Sequence, residues 1–265
     1  MEKRYLLIIL VLVSIFLVGC NGKTNSKQVS AGLEASFVEN EPPQVVLDGN
    51  QDPFFITLFL TNNGEPFIPA KKIIATLSGI ERDTFSMNSL NAVLDSVLEG
   101  KSKRGEGEIK GESTDLSFDQ ANYHNTLSTD FKTQLRVDIC YLYKTKASAT
   151  VCLKKEAVAR NPEDQCLISN PSVSFLNTEA PVSITDVKQE SSGKNEVSLT
   201  FTIKNNGEGD VYPKGTFSNQ CILVADKRNR LDVTVTAGSQ RLPVTCSKLG
   251  NSHTGDLRLI QNENT

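Results

Sequence analysis

The amino-acid sequence predicts an all-β chain made of two related antiparallel sandwiches in tandem, and three observations carry that prediction. Residues 55–62 and 198–205 are both runs rich in Phe, Ile, Leu and Thr, and both stop at the same turn, Asn62-Asn63-Gly64-Glu65 and Asn205-Asn206-Gly207-Glu208. An apolar β-branched and aromatic run that ends at an Asn-Gly turn is how a core strand leaves a sheet. Elsewhere the apolar residues mostly alternate with polar ones in short segments bounded by Gly, Pro, Asn, Asp and Ser, the two-residue period of half-buried strands. The length of 265 residues leaves room for two cores of about a hundred residues each.

Composition agrees. With no Trp and only two Met, the interior must be filled by Phe, Val, Ile and Leu. A hydrophobic content of 38% with 22% charged residues is that of globular domains rather than of a disordered chain. The net charge of −3 argues against binding nucleic acid through its phosphates.

The first segment is an exception to the β pattern. Residues 1–19 carry Lys3 and Arg4 followed by an almost unbroken apolar run to Val18. That run is shorter than the roughly 20 residues that span a bilayer, so it reads as the core of a signal peptide. Leu17-Val18-Gly19-Cys20 resembles a lipobox: small Gly19 lets a protease approach the backbone, and the Cys20 thiol is the group that takes a lipid. Cys20 is therefore the expected lipidation site. Residues 20–30 are polar and aperiodic, as a tether would be.

The first sandwich is expected over residues 31–153. Strands are read at 35–38 and at 45–47, the latter after Pro42 and Pro43, whose rings cannot donate to a ladder. Asp48, Asn50 and Asp52 share the spacing that opens a calcium loop, but the loop's later positions are Pro53 and Phe59, so the stretch reads as a plain turn. Residues 54–60 are too uniformly apolar for an edge and are placed centrally, with 72–77 as their neighbour. Leu90, Val93, Leu94, Val97 and Leu98 follow a helical period, which predicts a short helix over 88–98 against the all-β context. Residues 101–112 alternate charge sign around three glycines and read as a solvated hairpin tip. Two alternating strands, 134–143 and 146–153, are read as a hairpin whose turn near Lys146 sets Cys140 across from Cys152.

Residues 154–170 read as linker, and residues 171–265 as the second sandwich, with strands at 182–187, 197–203, 221–225, 231–236, 241–246 and a short one at 257–260. Five or six strands fall short of the roughly seven of such a sandwich, so an incomplete second domain, completed by further residues or by a partner strand, is expected. With Cys20 given to a lipid, five of the six cysteines remain. Register favours Cys140 with Cys152, Cys152 with Cys166 remains open, Cys221 with Cys246 is the second expected bond, and Cys166 is the odd residue. No CxxC or His pair supports a zinc site, and GxSxG, HExxH and phosphate-loop motifs are all missing, so catalytic residues, metal and cofactor are each set to none. His124 and His253 read as surface residues.

The residues 60–65, 74–80 and 98–102, the Cys140 to Cys152 segment and residues 180–187 resemble a family of archaeal lipoproteins from DPANN-type genomes. More distantly they are similar to CARDB-like adhesion modules of the immunoglobulin-like class. The resemblance implies two tandem immunoglobulin-like (CARDB-like) β-sandwiches on the extracytoplasmic face of the cell membrane, with no carried-over catalytic residue. The expected function is a non-enzymatic structural or adhesive module bound to the membrane through lipid and to surface or matrix proteins. The alternative is a solute- or ligand-binding surface lipoprotein, against which the scattered Tyr residues and absent Trp speak; an exported hydrolase comes third.

Overall fold

The structure, a computed structural model, describes residues 32–105, 107–153, 173–193, 196–217, 221, 224–238, 243–260 and 263–264. The segments expected to be leader (1–19), tether with Cys20 (20–30) and linker (154–170), Cys166 and parts of the segments 221–225 and 241–246 lie outside the described residues.

The fold is all-β. In chain order the strands are β1 (Leu33–Phe37), β2 (Thr57–Asn62), β3 (Ile73–Ser78), β4 (Asn91–Val93), β5 (Ser102–Arg104), β6 (Gly107–Ile109), β7 (Ser113–Ser117), β8 (Arg136–Tyr141), β9 (Ala147–Ala149), β10 (Phe175–Asn177), β11 (Val182–Ser191), β12 (Val197–Asn205), β13 (Arg230–Thr234), β14 (Thr254–Arg258) and β15 (Glu263–Asn264). Among the described residues the only helical elements are three single 3₁₀ turns.

Two three-stranded sheets, β1-β2-β7 and β4-β3-β8, enclose the larger core. β2 is central because alternate side chains, Ile56, Leu58, Leu60 and Asn62, turn inward and are buried. Facing them across the sandwich, Ile73, Ala75 and Leu77 of β3 are equally buried. Residues 72–77 thus share the core with β2 as expected, but from the opposite sheet rather than as a hydrogen-bonded neighbour. The charged segment after Gly100 forms the β5-β6 hairpin, exposed throughout.

The internal repeat is structural as well. β12 lies between β11 and β15 as β2 lies between β1 and β7, and Asn205 pairs with Val182 as Asn62 pairs with Leu33. Around β12, Ile203, Leu249, Leu257 and Leu259 make a second, smaller core.

Three expectations are corrected. Residues 88–98 are not helical: Ala92, Leu94 and Leu98 are buried while Val93 and Val97 are exposed, and the backbone bonds run to Ile68, Lys71, Ile73 and Leu77 instead of along the segment. Leu90, Ala92, Leu94 and Leu98 satisfy a period of two, with Val93 and Val97 on the other face, and an open ladder beside β3 decides between the templates. Residues 45–47 form no strand, since only Val46 packs on the core. β8 and β9 are not a hairpin: β8 pairs with β3, whereas β9 pairs with β10 and lies beside β11.

Candidate functional site

The two Asn-Asn-Gly-Glu turns are built alike. In each, the buried first Asn accepts a hydrogen bond from the N–H of the Gly and donates to a carbonyl four residues on: Asn62 to Pro66 at 2.9 Å and Asn205 to Gly209 at 2.8 Å. The second Asn secures the preceding strand, Asn63 through Glu34 and Asn206 through Ser183. Only the first turn carries more. Asn62 also donates to the Leu98 carbonyl at 3.2 Å, and its Oδ1 accepts from the Tyr143 hydroxyl at 3.1 Å, so all its polar valences are met at 0% exposure. Burial pushes the Tyr143 hydroxyl well above the usual tyrosine range, with Tyr141 and Glu65 adding to the rise. It is therefore a donor at neutral pH, as the bond to Asn62 requires.

The first turn also forms a seam with the second unit. The N–H of Glu65 donates to the Glu179 carbonyl at 2.9 Å, the N–H of Glu179 returns to Glu65 Oε2 at 3.0 Å, and Lys101 Nζ reaches Glu179 Oε2 at 3.3 Å. Thr145 Oγ1 donates to the Val182 carbonyl at 2.6 Å. On the outer face of β3, Ile74 is 1% exposed although it belongs to neither core. It is paired in register with Cys140, and Cys140 is disulfide-bonded to Cys221 of the second unit, with Cα atoms 5.7 Å apart. Lys72 lies 5.2 Å from the ring centroid of Phe217, so Phe217 reaches the strand that carries Ile74.

Both expected disulfides are thereby corrected. Cys140 bonds Cys221, not Cys152, because no hairpin brings the first two together, and Cys246 is a free, half-buried thiol packed against the second core. Cys152 is disulfide-bonded too, and its backbone is held to β11 by paired bonds with the buried side chain of Gln189.

At the other end of the first unit, beyond the end of β3 and near the start of β2, lies a depression of about 320 Å³ lined by Gly79, Ile80, Glu81, Thr84, Phe85, Tyr123 and Phe131. Phe85 meets Tyr123 edge-on at 5.2 Å between centroids, and Tyr123 meets Phe131 at 5.8 Å with a tilt of 48°. Thr84 Oγ1 donates to Glu81 Oε2 at 3.2 Å.

Comparison with family models, curated proteins and solved structures finds no match.

The aromatic cluster is the feature that linear reading missed. Phe85, Tyr123 and Phe131 are scattered in the sequence; the backbone bonds of Asn122 to Phe85 and of His124 to Thr84 bring the first two together, and Phe131 packs on Tyr123. The same pairing brings Ser86, held at a φ of +52°, to 3.4 Å from His124 Nδ1. Both side chains are exposed, the contact is long for a hydrogen bond, and among the described residues no carboxylate orients the imidazole, so this pair lacks the geometry of a nucleophile and its base. The Asp48 carboxylate accepts the Leu127 N–H at 2.7 Å and so pins its turn to the 121–127 segment. Among the described residues no group of three potential metal ligands converges.

Proposed function

We propose that the chain is a membrane-anchored extracytoplasmic lipoprotein whose two immunoglobulin-like, CARDB-like sandwiches serve as a non-enzymatic structural or adhesive module for surface or matrix proteins. The observation that carries this reading is the Cys140–Cys221 bond between the units. Disulfides persist in oxidising compartments outside the cytosol, which is where the Leu17 to Cys20 motif would deliver the chain. Tandem domains move relative to one another unless their interface is extensive, and here a covalent bond, reciprocal backbone bonds and a buried Ile74 hold the two units together. A single rigid body suits presentation of a surface at a fixed orientation. Gly32 lies beside Pro181 at the seam, so a tether of residues 20–30, at most about 40 Å long, would join the chain to the bilayer at its seam end.

Mass spectrometry of the native protein tests the anchoring: the mature chain should begin at lipid-modified Cys20, and Cys20→Ala should leave the precursor uncut or release the protein. An unmodified mature chain starting elsewhere contradicts the proposal. The aromatic depression favours a second reading, a ligand-binding surface lipoprotein; a pull-down from native membranes that recovers no protein partner would move the balance toward it.

A further inference from the structure

We infer that the depression at the outer end of the first unit is a binding site for a small organic ammonium group of the trimethylammonium type. Its walls are three aromatic rings at different inclinations, Phe85, Tyr123 and Phe131, and its only charged lining group is the Glu81 carboxylate. Ring faces attract cations through their quadrupole, most strongly cations with weakly held water, and a carboxylate beside them adds a counter-charge. One carboxylate oxygen accepts a hydrogen bond from the Thr84 hydroxyl at 3.2 Å.

The same features exclude the other ligand classes. An anion would face Glu81 with no Lys or Arg in the lining to compensate. A hard metal ion needs several oxygen ligands, and a single carboxylate among hydrocarbon walls does not supply them. A purely apolar ligand would gain nothing from a lining carboxylate. The volume of about 320 Å³ is at the small end of ligand sites, which suits a headgroup-sized cation rather than a metabolite of several rings. Phe85 and Tyr123 are fixed in the core, whereas Phe131 is 52% exposed and forms the outer wall. Burying part of that ring against a bound cation removes apolar surface from water at the same time. This site is independent of the anchoring proposal, since nothing in its lining involves residues 1–30.

The experiment titrates the full-length protein with choline and with its neutral isostere 3,3-dimethylbutan-1-ol, followed by calorimetry or by NMR of the ligand methyls. Saturable choline binding is expected, with the isostere at least about threefold weaker. Glu81→Gln should weaken choline by a similar factor and leave the isostere unchanged. Phe131→Leu should weaken choline by roughly 2- to 30-fold, while Phe131→Tyr, which keeps the ring, should retain it. Both altered side chains are exposed, so the core is untouched and folding is checked by an unchanged thermal midpoint. Tighter binding of glycerophosphocholine than of choline assigns a lipid headgroup as the source; equal or weaker binding assigns a free ammonium compound. Equal affinity for choline and the neutral isostere, or choline binding indifferent to both Glu81→Gln and Phe131→Leu, overturns the proposal, as does the lack of any saturable choline binding.

Discussion

Asn62 and Asn205 occupy equivalent places in the two repeated turns, yet they carry unequal weight. Asn62 makes four side-chain hydrogen bonds, and Asn205 makes two. Removing a partner from buried polar groups costs about 1–3 kcal/mol for each group left unsatisfied. Asn62→Asp, which replaces the donating amide with oxygen facing the Pro66 and Leu98 carbonyls, should therefore destabilise the protein by roughly 3 kcal/mol or more in urea denaturation, against about 1–2 kcal/mol for Asn205→Asp. The glycines that follow differ in the same direction. A Cβ on Gly64 would stand 1.8 Å from the Tyr143 hydroxyl oxygen, whereas on Gly207 it would meet Pro181 Cβ at 3.1 Å. Gly64→Ala should thus be the more damaging change. Tyr143 also sets an alkaline limit. Its folded pKa is raised above the unfolded value near 10, so the unfolded chain releases protons first, and stability is full below about pH 10 and falls as pH rises beyond it. Tyr143→Phe should flatten that fall while lowering stability at neutral pH; an unchanged alkaline profile would show that the buried hydroxyl is not responsible.

At the scale of elements, β2 was legible because its nearly unbroken apolar run and its closing Asn-Gly turn agree with each other. Truncating it should be costly: Leu60→Ala, fully buried between the sheets, is expected to lose about 2–5 kcal/mol. Residues 88–98 were not legible, because five apolar residues fit a helical stripe while the buried set Ala92, Leu94 and Leu98 becomes visible only once β3 is present as a partner. Hydrogen exchange provides the check: amides of Leu94 and Leu98, bonded to Ile73 and Ile68, should be protected, while Val93 and Val97, which point outward, should tolerate polar substitution within about 0.5 kcal/mol. The β8-β9 reading failed for a related reason. Two alternating segments separated by a short polar turn look like a hairpin, but Thr145 bonds the Val182 carbonyl and Gln189 clamps Cys152, so the second segment is captured by β10 and β11. The aromatic depression was hidden because its rings come from segments with no shared periodicity, brought together by two backbone bonds and by ring contacts.

For the whole molecule, the all-β class and the internal repeat were readable from the sequence, but the seam was not, since disulfide connectivity depends on which strands face each other. The Cys140–Cys221 bond closes a loop of 81 residues, for which the chain-entropy account gives about 4–5 kcal/mol, and measured effects are commonly about 2–4 kcal/mol. Cys221→Ser should reduce stability by that amount and loosen the two units, read as a larger radius of gyration in solution scattering. This bond fixes two related β units against each other, and peptide mapping of the unreduced full-length protein decides whether it forms. The map should contain a peptide joining Cys140 to Cys221, with Cys246 taken up by an alkylating reagent without reduction; Cys140 joined to Cys152, or Cys221 joined to Cys246, would contradict it.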